Sequence, residues 1–528
     1  MKDKVNKVLN KDVKELNGII VSLFSILFLV GVGFISYKIS NSYALFGDSI
    51  TGSNTIGVEA DTCNLYVPNK PILDTNMIPV YYDEINEVWK KADSTNQDRN
   101  YKWYDYCEKK WANSVTVTSS NRTTYLNASP GTEIPMDDIL TMQVWIPRYK
   151  YKVWNYNANG TVTSQPQEIE IVFEEGTAST GEITCTDTIS GTDGAKSESC
   201  KINNVECTDS TCNNKYYTHP AFTFGEEELE GFWIGKFELT GTIDSITTKP
   251  NLSSLRNQNV STFETNIMAM NDSGNQYGFN TSTDTHMIKN MEWGAVAYLS
   301  HSKYGVNREV YINNSSGYYT GRSGGNVGGS TPINGTYTDQ TSTTQYNSYG
   351  FYTYDGYLLE YGTNTKSSTK DISKVSSTTG NIYGVYDMSG GSYEYTMSNI
   401  VSPDGSTMMS GYSTDSNSGY TGIIFNSERY TSYTGTYTYP DTKYYDKYSF
   451  GTSNSQRIRS KLGDGIKEVL NTSSRSWYSD HSYLAYYYAP WFVRSGSYSD
   501  GSGDGAFTSH FSFGHANTGS SSRLVITP

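Results

Sequence analysis

Histidines and cysteines are the side chains of this sequence that could carry out acid–base, nucleophilic or metal chemistry. The six histidines are His219, His286, His301, His481, His510 and His515. His510 and His515 lie five residues apart in a Gly/Ser-rich segment, which fits either a pair of metal ligands or two solvent-facing loop residues. No Gly-x-Ser-x-Gly elbow occurs in a strand–turn–helix context, so the residue order gives no sign of a serine hydrolase. We therefore predict no catalytic residues.

The cysteines predict disulfides rather than a metal site. They are Cys63, Cys107, Cys185, Cys200, Cys207 and Cys212. The first two bracket an aromatic stretch and could form one disulfide or remain two free thiols. The other four allow three pairings and lack the Cys-x-x-Cys spacing that is typical of zinc sites. We favour local disulfides among these four over free thiols.

The region 478–522 has the composition of a binding surface. Between Ser495 and Ser522 the chain has no Lys, Glu, Gln, Met or Trp, whereas residues encoded by pyrimidine-ending codons are frequent. Tyr, Ser, Asp, His and Gly are also the residue types of antibody-like paratopes. We predict that the ligand contacts are Tyr478, Asp480, Tyr486, Tyr498, Asp500, Ser502, Asp504, Ser509, His510, Ser512, His515 and Asn517. The turn 499–504 is compatible with a structural calcium ion, and no other cofactor is predicted.

The charge balance argues against a nucleic-acid partner. The chain has 528 residues, with 54 acidic and 40 basic side chains and a net charge of -14. Binding to phosphate backbones requires a clustered basic surface, and Lys/Arg runs occur only near the N-terminus. The 46 tyrosines instead suit an extracellular protein that binds a protein or glycan ligand.

The N-terminal region predicts a membrane anchor. Residues 16–37 carry no charge and are long enough to cross a bilayer as a helix. The basic leader 1–15 predicts a cytoplasmic N-terminus and an extracellular ectodomain by the positive-inside rule. A cleaved signal peptide would have a shorter apolar region and a small-residue cleavage site, so we favour an uncleaved single-pass anchor.

The ectodomain divides by composition. Residues 38–60 have the composition of a polar tether, and 61–118 that of a small Trp/Tyr-rich β module. A larger domain covers 137–528 and contains a Ser/Thr-rich insertion at about 155–217. Apolar spacing predicts a helix over 287–302, and aromatic and β-branched residues predict strands at 144–154 and 232–240. Few helices and many turns indicate an α+β fold with long loop insertions.

Five separated phrases resemble the formylglycine-generating enzyme and sulfatase-modifying-factor domain family. They occupy 142–153, 231–241, 287–305, 380–396 and the tail that includes 491–501 and 521–528. The matching positions, which we expect to be scaffold, are Trp233, Glu238, Trp293, Asp387, Met388, Glu394, Arg494 and Arg523. Gly391, Ser392 and Tyr395 depart from the usual Asn, Val and Trp, and Ser495 and Ser522 from the usual closing pattern. The resemblance implies a C-type-lectin-like fold.

The same resemblance implies a binding protein rather than an enzyme. The family's oxidases use two cysteines near the C-terminal end to hold copper, and this chain has no cysteine after Cys212. The histidine pattern of the sulfoxide-synthase relatives is missing as well. The bias of 478–522 resembles the variable proteins of diversity-generating retroelements, which place variable positions at the C-terminal end of this fold. Two alternatives stay open: a divergent metal-dependent oxidase of the family, and a pilin-like structural or adhesin subunit.

Overall fold

In a computed structural model of the chain, the described residues are 67–156, 164–313, 315, 317–322, 376–406, 408–409, 441–500 and 503–528, with the backbone of four short strands between 357 and 429. The first half contains β1 Ile78–Asp83, β2 Val88–Lys91, β3 Asn113–Val117, α1 Ser119–Asn127, β4 Ile139–Pro147, β5 Tyr149–Lys152, β6 Ile171–Phe173, β7 Thr184–Asp187, β8 Glu198–Ile202, β9 Val205–Glu206, α2 Asp209–Cys212, β10 Tyr216–Thr218, β11 Thr223–Phe224, β12 Glu227–Glu228, β13 Gly231–Gly235, β14 Thr240–Thr242 and β15 Ser245–Thr247. The second half contains α3 Val260–Met268, β16 Asp284–Met287, α4 Asn290–Ser300, β17 Tyr357–Leu359, β18 Lys366–Lys370, β19 Tyr393–Ile400, β20 Ile424–Phe425, β21 Glu428–Arg429, β22 Asp446–Tyr448, β23 Trp491–Ser495, β24 Ser509–Ser512, β25 Ser520–Ser521 and β26 Leu524–Thr527. The described part is sheet-rich with few helices, which confirms the α+β class.

Two sheets organise the described part of the chain. The main sheet has seven antiparallel strands in the order β16-β26-β13-β4-β3-β1-β2. The C-terminal sheet has the order β22-β19-β23-β24, with β25 also paired to β19. Strand β4 is buried on both faces along almost its whole length, which explains its nearly continuous apolar sequence.

The aromatic stretch 61–118 does not form a sheet of its own in the described residues. Its strands β1, β2 and β3 extend the main sheet, and Trp103 stacks on Trp233 with the ring centroids 6.2 Å apart. The described residues from 67 onward belong to one compact unit. Aromatic density in a sequence indicates burial, but it does not reveal which core the rings join.

Helix α4 is buried along its whole length, and it lies within the stretch 287–302 where the sequence predicts a helix. The Glu292 carboxylate accepts a hydrogen bond from the Lys289 backbone N–H at 2.8 Å, which caps the first turn. Gly294 permits a close approach to a neighbouring loop: a Cβ there would lie 1.9 Å from the carbonyl oxygen of Gly463. The helix therefore packs directly against the loop 463–465.

The described part of the insertion at 155–217, which excludes residues 157–163, contributes regular structure. Strands β10 and β6 flank β5 in a three-stranded sheet, and β7, β8 and β9 form a second small sheet. Of the three pairings that the sequence allows, the structure has Cys185 bonded to Cys200 and Cys207 bonded to Cys212. Cys107 is also disulfide-bonded, whereas Cys63 lies outside the described residues.

The predicted anchor 16–37, the leader 1–15 and the tether 38–60 all lie outside the described residues. Among the helices that the structure describes, none combines the length and the apolar character that are needed to cross a membrane.

Candidate ligand-binding surface

The predicted binding region is built on the last two long strands of the C-terminal sheet. Strand β24 pairs antiparallel with β23, so that Val493 faces His510 and Phe492 faces Phe511 across the ladder. The residues of β23 are fully buried, whereas β24 is the end strand of its sheet and is largely half-buried. An end strand presents its outer edge and its solvent-side residues to the surroundings.

The segment 481–489 lies along part of the β24 edge. The Ser509 N–H donates to the His481 carbonyl at 2.9 Å, and the Tyr483 N–H donates to the Ser509 carbonyl at 2.8 Å. A turn that pairs Tyr486 with Ala489 ends this contact. These backbone bonds hold the tyrosine-rich segment beside the strand, so that its side chains lie next to those of β24.

Half-buried aromatic and imidazole rings from these segments form a continuous patch, which we name the aromatic surface. In its centre the ring centroids of His510 and Phe511 are 4.3 Å apart, and those of Tyr483 and His510 are 5.0 Å apart. The Tyr486 ring stands edge-on to Phe511 at 4.9 Å. The aromatic surface comprises Tyr318, Tyr393, His481, Tyr483, Tyr486, Tyr488, Tyr498, His510, Phe511, Phe513 and His515.

Two extensions lengthen the aromatic surface. On one side Tyr488 contacts Phe513, with the ring centroids 5.1 Å apart, and Phe513 contacts His515 at 5.8 Å. On the other side the Tyr393 ring lies 6.3 Å from His510, and its hydroxyl donates to the Asp500 carboxylate at 2.6 Å. The half-buried rings therefore continue from β24 to the neighbouring loops.

A cationic contact marks the far end of the patch. Tyr498 stands edge-on to Tyr318, with the ring centroids 4.7 Å apart. The Arg256 guanidinium lies 3.8 Å from the centre of the Tyr318 ring, in cation–π geometry. Tyr498 is fixed by its backbone as well, because its N–H donates to the Gly391 carbonyl at 2.9 Å.

Burial favours the neutral form of the three histidines of the aromatic surface. Burial lowers the pKa of His510 and of His515 below the ordinary value of 6.5. Burial, assisted by the charge of Arg475, also lowers the pKa of His481. The patch therefore offers uncharged rings for stacking, with the carboxylate of Asp500 at its border.

Three of the predicted ligand contacts are buried rather than exposed. The Asp480 carboxylate accepts hydrogen bonds from the backbone N–H groups of Gly505 and Phe507, both at 3.0 Å. The Asp504 carboxylate accepts from the Asp500 N–H at 3.1 Å, and the Ser509 hydroxyl donates to the Tyr483 carbonyl at 2.8 Å. These side chains hold loops in place, so their prediction as direct contacts is corrected to a positioning role.

The other predicted contacts lie at or near the surface. Tyr478 is half-buried and adopts a positive φ of 59°, with its ring 5.7 Å from that of His301. The Ser512 hydroxyl is hydrogen-bonded to the Tyr395 hydroxyl at 3.1 Å. Asn517 is exposed and its amide oxygen accepts from the Gly519 N–H at 2.7 Å. Ser502 lies outside the described residues, so the predicted turn 499–504 is described in part.

The residues that we expect to be scaffold form a buried frame beneath the aromatic surface. The Arg523 guanidinium pairs with both carboxylate oxygens of Glu394, at 2.9 Å and 2.5 Å, and donates to the Gly235 carbonyl at 2.9 Å. Arg494 donates to three backbone carbonyls, those of Thr508, Asp464 and Gly465. Each arginine therefore ties the C-terminal sheet to a different element.

Trp293 of helix α4 lies between these two arginines. The guanidinium carbons of Arg494 and Arg523 are 5.6 Å and 5.9 Å from the centre of its ring. The indole N–H donates to the Ala506 carbonyl at 2.8 Å, within the loop that leads into β24. The buried helix is thus hydrogen-bonded to the loop that precedes β24 of the aromatic surface.

Glu238, Asp387 and Met388 complete this frame, and all three are buried. The Glu238 carboxyl accepts from the Ser392 N–H at 2.8 Å, and burial beside the carboxylate of Glu394 raises its pKa well above the ordinary value. Asp387 has a φ of 60° and accepts hydrogen bonds from Asn313 and Gly321. Trp233, which belongs to β13 of the main sheet, donates from its indole N–H to the carbonyl oxygen of Ile72 at 2.6 Å.

The side chains that could do chemistry are mostly engaged in structural contacts. His286 lies between the carboxylates of Asp284 and Glu292, at 2.9 Å and 3.0 Å, which raise its pKa to about 9 against the opposing effect of burial. Within the described ranges no cysteine is a free thiol, and the grouping that could hold a metal ion is Cys185, Glu198 and Cys200. Because those two sulfur atoms are bonded to each other, they are not thiolate ligands.

Several residues of the aromatic surface are missing from the sequence prediction. Tyr483 and Phe511 of the centre, and Tyr488 and Phe513 of one extension, do not belong to the predicted contacts. The rings at positions 510, 511 and 513 and the aromatic run 486–488 are signals that could have indicated them. Only the fold shows that Tyr393 belongs to the aromatic surface, because this residue lies on β19, far from the other rings in the sequence.

Comparison with known proteins yields no relative: a scan against protein-family models finds no match, and a search of the curated proteins finds none either.

Proposed function

We propose that this chain is a membrane-anchored bacterial surface protein that binds an external protein or glycan ligand through the aromatic surface. The observation that carries the proposal is the patch of half-buried, uncharged rings on an end strand, supported by a frame of fully buried arginines and carboxylates. Tyr, His and Phe rings lose little side-chain entropy when they contact a ligand and offer both apolar area and polar edges. No catalytic step is needed for this activity.

The disulfides support an external location. Two disulfides lie within the described insertion, and disulfides persist in oxidising compartments outside the cytosol. The predicted anchor 16–37 and its basic leader agree with display on the outer side of a membrane. The ligand would then be met in the extracellular medium or on another cell.

The resemblance to formylglycine-generating-enzyme-like variable proteins adds a second part to the proposal, in which the aromatic surface is diversified by a retroelement. The half-buried positions 498 and 510 and the exposed position 500 take residue types that pyrimidine-ending codons encode. The buried frame residues Arg494 and Arg523 flank this region, so that changes at the half-buried and exposed positions between them would leave the frame intact. Such a surface requires that its side chains contribute little to folding.

We expect a triple substitution in the aromatic surface to abolish ligand capture. Full-length protein would be screened against glycan and purified-protein arrays, and its Kd for the best target compared with that of the Tyr486→Ala/Tyr498→Ala/His510→Ala variant. Loss of these three rings should weaken binding by about 100-fold or more, because each well-packed anchor contributes roughly 2 kcal/mol. The melting temperature should change little.

Tyr101→Ala provides the matched control, since this half-buried tyrosine belongs to a loop near β2 and to none of the segments above. It should bind with the wild-type Kd. Equal loss of binding in both variants, or binding by the triple variant at the wild-type level, would contradict the proposed function. Array binding that requires added copper or iron would favour the divergent-oxidase alternative instead.

A further inference from the structure

A cavity lies at the β22 end of the C-terminal sheet, whereas the aromatic surface lies at the β24 end. Its volume is about 290 Å³, and it is bounded by β22, by the start of helix α4 and by the tip of the β7-β8 hairpin. Strands β22 and β24 are the two ends of the sheet order, three strand steps apart. At about 4.8 Å per step, this separates the two strands by roughly 14 Å.

Four lysines line this cavity, although the chain as a whole has a net charge of -14. They are Lys289, Lys443, Lys447 and Lys461, and we name the cavity the lysine pocket. The lining contains two carboxylates, those of Asp187 and Asp446. The lining groups therefore carry an excess of positive charge at neutral pH.

The lysines are held in place at the walls of the pocket. The Lys461 ammonium lies 2.5 Å from the Asp187 carboxylate, and the Lys289 ammonium lies 3.2 Å from the Glu292 carboxylate. The side chains of both lysines are only 6% exposed. Lys443 pairs with the carboxylate of Asp284 at 3.4 Å. These ion pairs fix the ammonium groups and offset part of their charge.

Two features leave charge available to a ligand. Lys447 is half-buried, its ammonium lies 5.2 Å from the centre of the Tyr445 ring, and no carboxylate of the described residues forms an ion pair with it. The Asp446 carboxylate accepts a hydrogen bond from the Met291 N–H at 2.8 Å, so one of the two lining acids is directed to the first turn of α4. An ammonium group has three protons to donate, and within the described part Lys461 uses one of them on a hydrogen-bond acceptor, Asp187.

We propose that the lysine pocket binds a compact, multiply charged oxyanion, namely a phosphate or sulfate group that is free or carried by a small molecule. Lysine ammonium groups bind phosphate and sulfate as fixed point charges. A volume of about 290 Å³ lies at the small end of the range for ligand pockets, roughly 300–1,000 Å³, and suits an oxyanion with at most a sugar-sized carrier.

Equilibrium dialysis of the full-length protein with radiolabelled inorganic phosphate tests this proposal directly. We expect saturable binding to one site, at an ionic strength held constant with sodium chloride. Lys447→Gln/Lys461→Gln should weaken the binding at least 10-fold. Lys201→Gln, which removes an exposed lysine of the same hairpin, should leave it unchanged. Absence of saturable binding, or equal affinities of wild type and double variant, would overturn the proposal.

Two further arms identify the carrier and protect the test from misfolding. Unlabelled sulfate, glucose 6-phosphate and glucose would be used as competitors. Stronger competition by glucose 6-phosphate than by phosphate indicates a carried group, and equal competition indicates a free anion. If glucose competes and the anions do not, the proposal is contradicted. If the double variant does not fold, the half-buried Lys447→Gln substitution replaces it, with the same expectation of weaker binding. Array binding through the aromatic surface should be unaffected in every pocket variant.

Discussion

Arg523→Met is expected to lower the free energy of unfolding by about 3–5 kcal/mol, because it removes one partner of a buried ion pair and leaves the other uncompensated. Arg523 and Glu394 are both fully buried and share two hydrogen bonds. The carboxyl groups of Glu238 and Asp387 also lie near this guanidinium and favour its charged form. Without it, the remaining acids must take up protons or the frame must open.

Chemical denaturation of the wild type and the variant at pH 7 measures this effect. Lys152→Met is the control, because Lys152 and Glu170 form an ion pair whose side chains are 34% and 53% exposed. Exposed pairs contribute at most about 1 kcal/mol. Arg523→Met/Glu394→Leu should recover part of the loss, since it removes the unpaired charge as well. A loss for Arg523→Met no larger than that of the control would contradict the frame as described.

The protein is expected to be more stable at pH 5 than at pH 8. Glu468 is fully buried and accepts hydrogen bonds from the hydroxyls of Tyr151 and Tyr298, at 2.5 Å and 2.7 Å. Burial raises its pKa from 4.5 to about 7. Burial likewise raises the pKa of Asp480 from 3.8 to about 7. Because the folded protein holds these protons more tightly, their stabilising contribution is complete below about pH 4 and is lost as the pH rises through 7.

The expected size is about 3 kcal/mol for Glu468 alone, from a pKa difference of about 2.5. It would be measured as the difference in unfolding free energy between pH 5 and pH 8. Glu468→Gln, which resembles the protonated side chain, should flatten this pH dependence by about that amount. A wild-type protein that gains stability between pH 5 and pH 8, or a variant with the wild-type slope, would show that the buried carboxyl does not titrate in this way.

The sequence was informative where local pattern and burial coincide. The apolar spacing of 287–302 predicts a helix, and α4 occupies Asn290–Ser300. The charged residues Arg494, Glu394 and Arg523 of the family-like phrases are all fully buried, which charged side chains are only when they have partners. The strand predicted at 232–240 is confirmed in its first half and ends at Gly235, where the Lys236 side chain turns inward to bind three oxygen atoms.

The binding surface was harder to predict because composition does not separate exposed from buried polar residues. Asp480 and Asp504 have the same side chain as Asp500, yet the first two are buried and the third is exposed. Their difference depends on which backbone N–H groups the loop 503–507 directs inward, a tertiary property. The lysine pocket could not be predicted either, because its four lysines come from segments up to 172 residues apart that meet only in the fold.

The central claim is that a buried frame supports a surface whose side chains are exchangeable and bind ligands. The most direct test is a display library of the full ectodomain anchored by its own N-terminal segment, with Tyr486, Tyr498, Asp500, His510 and Phe513 randomised. A second library would randomise Trp293, Asp387, Glu394, Arg494 and Arg523. Protease resistance of the displayed protein and binding to a purified test protein such as lysozyme would be scored by sorting.

We expect most members of the surface library to stay protease-resistant and to yield clones that bind the test protein, whereas nearly all members of the frame library should be digested. If the surface library loses protease resistance as often as the frame library and yields no binders, the aromatic surface is part of the folding core and the account is wrong.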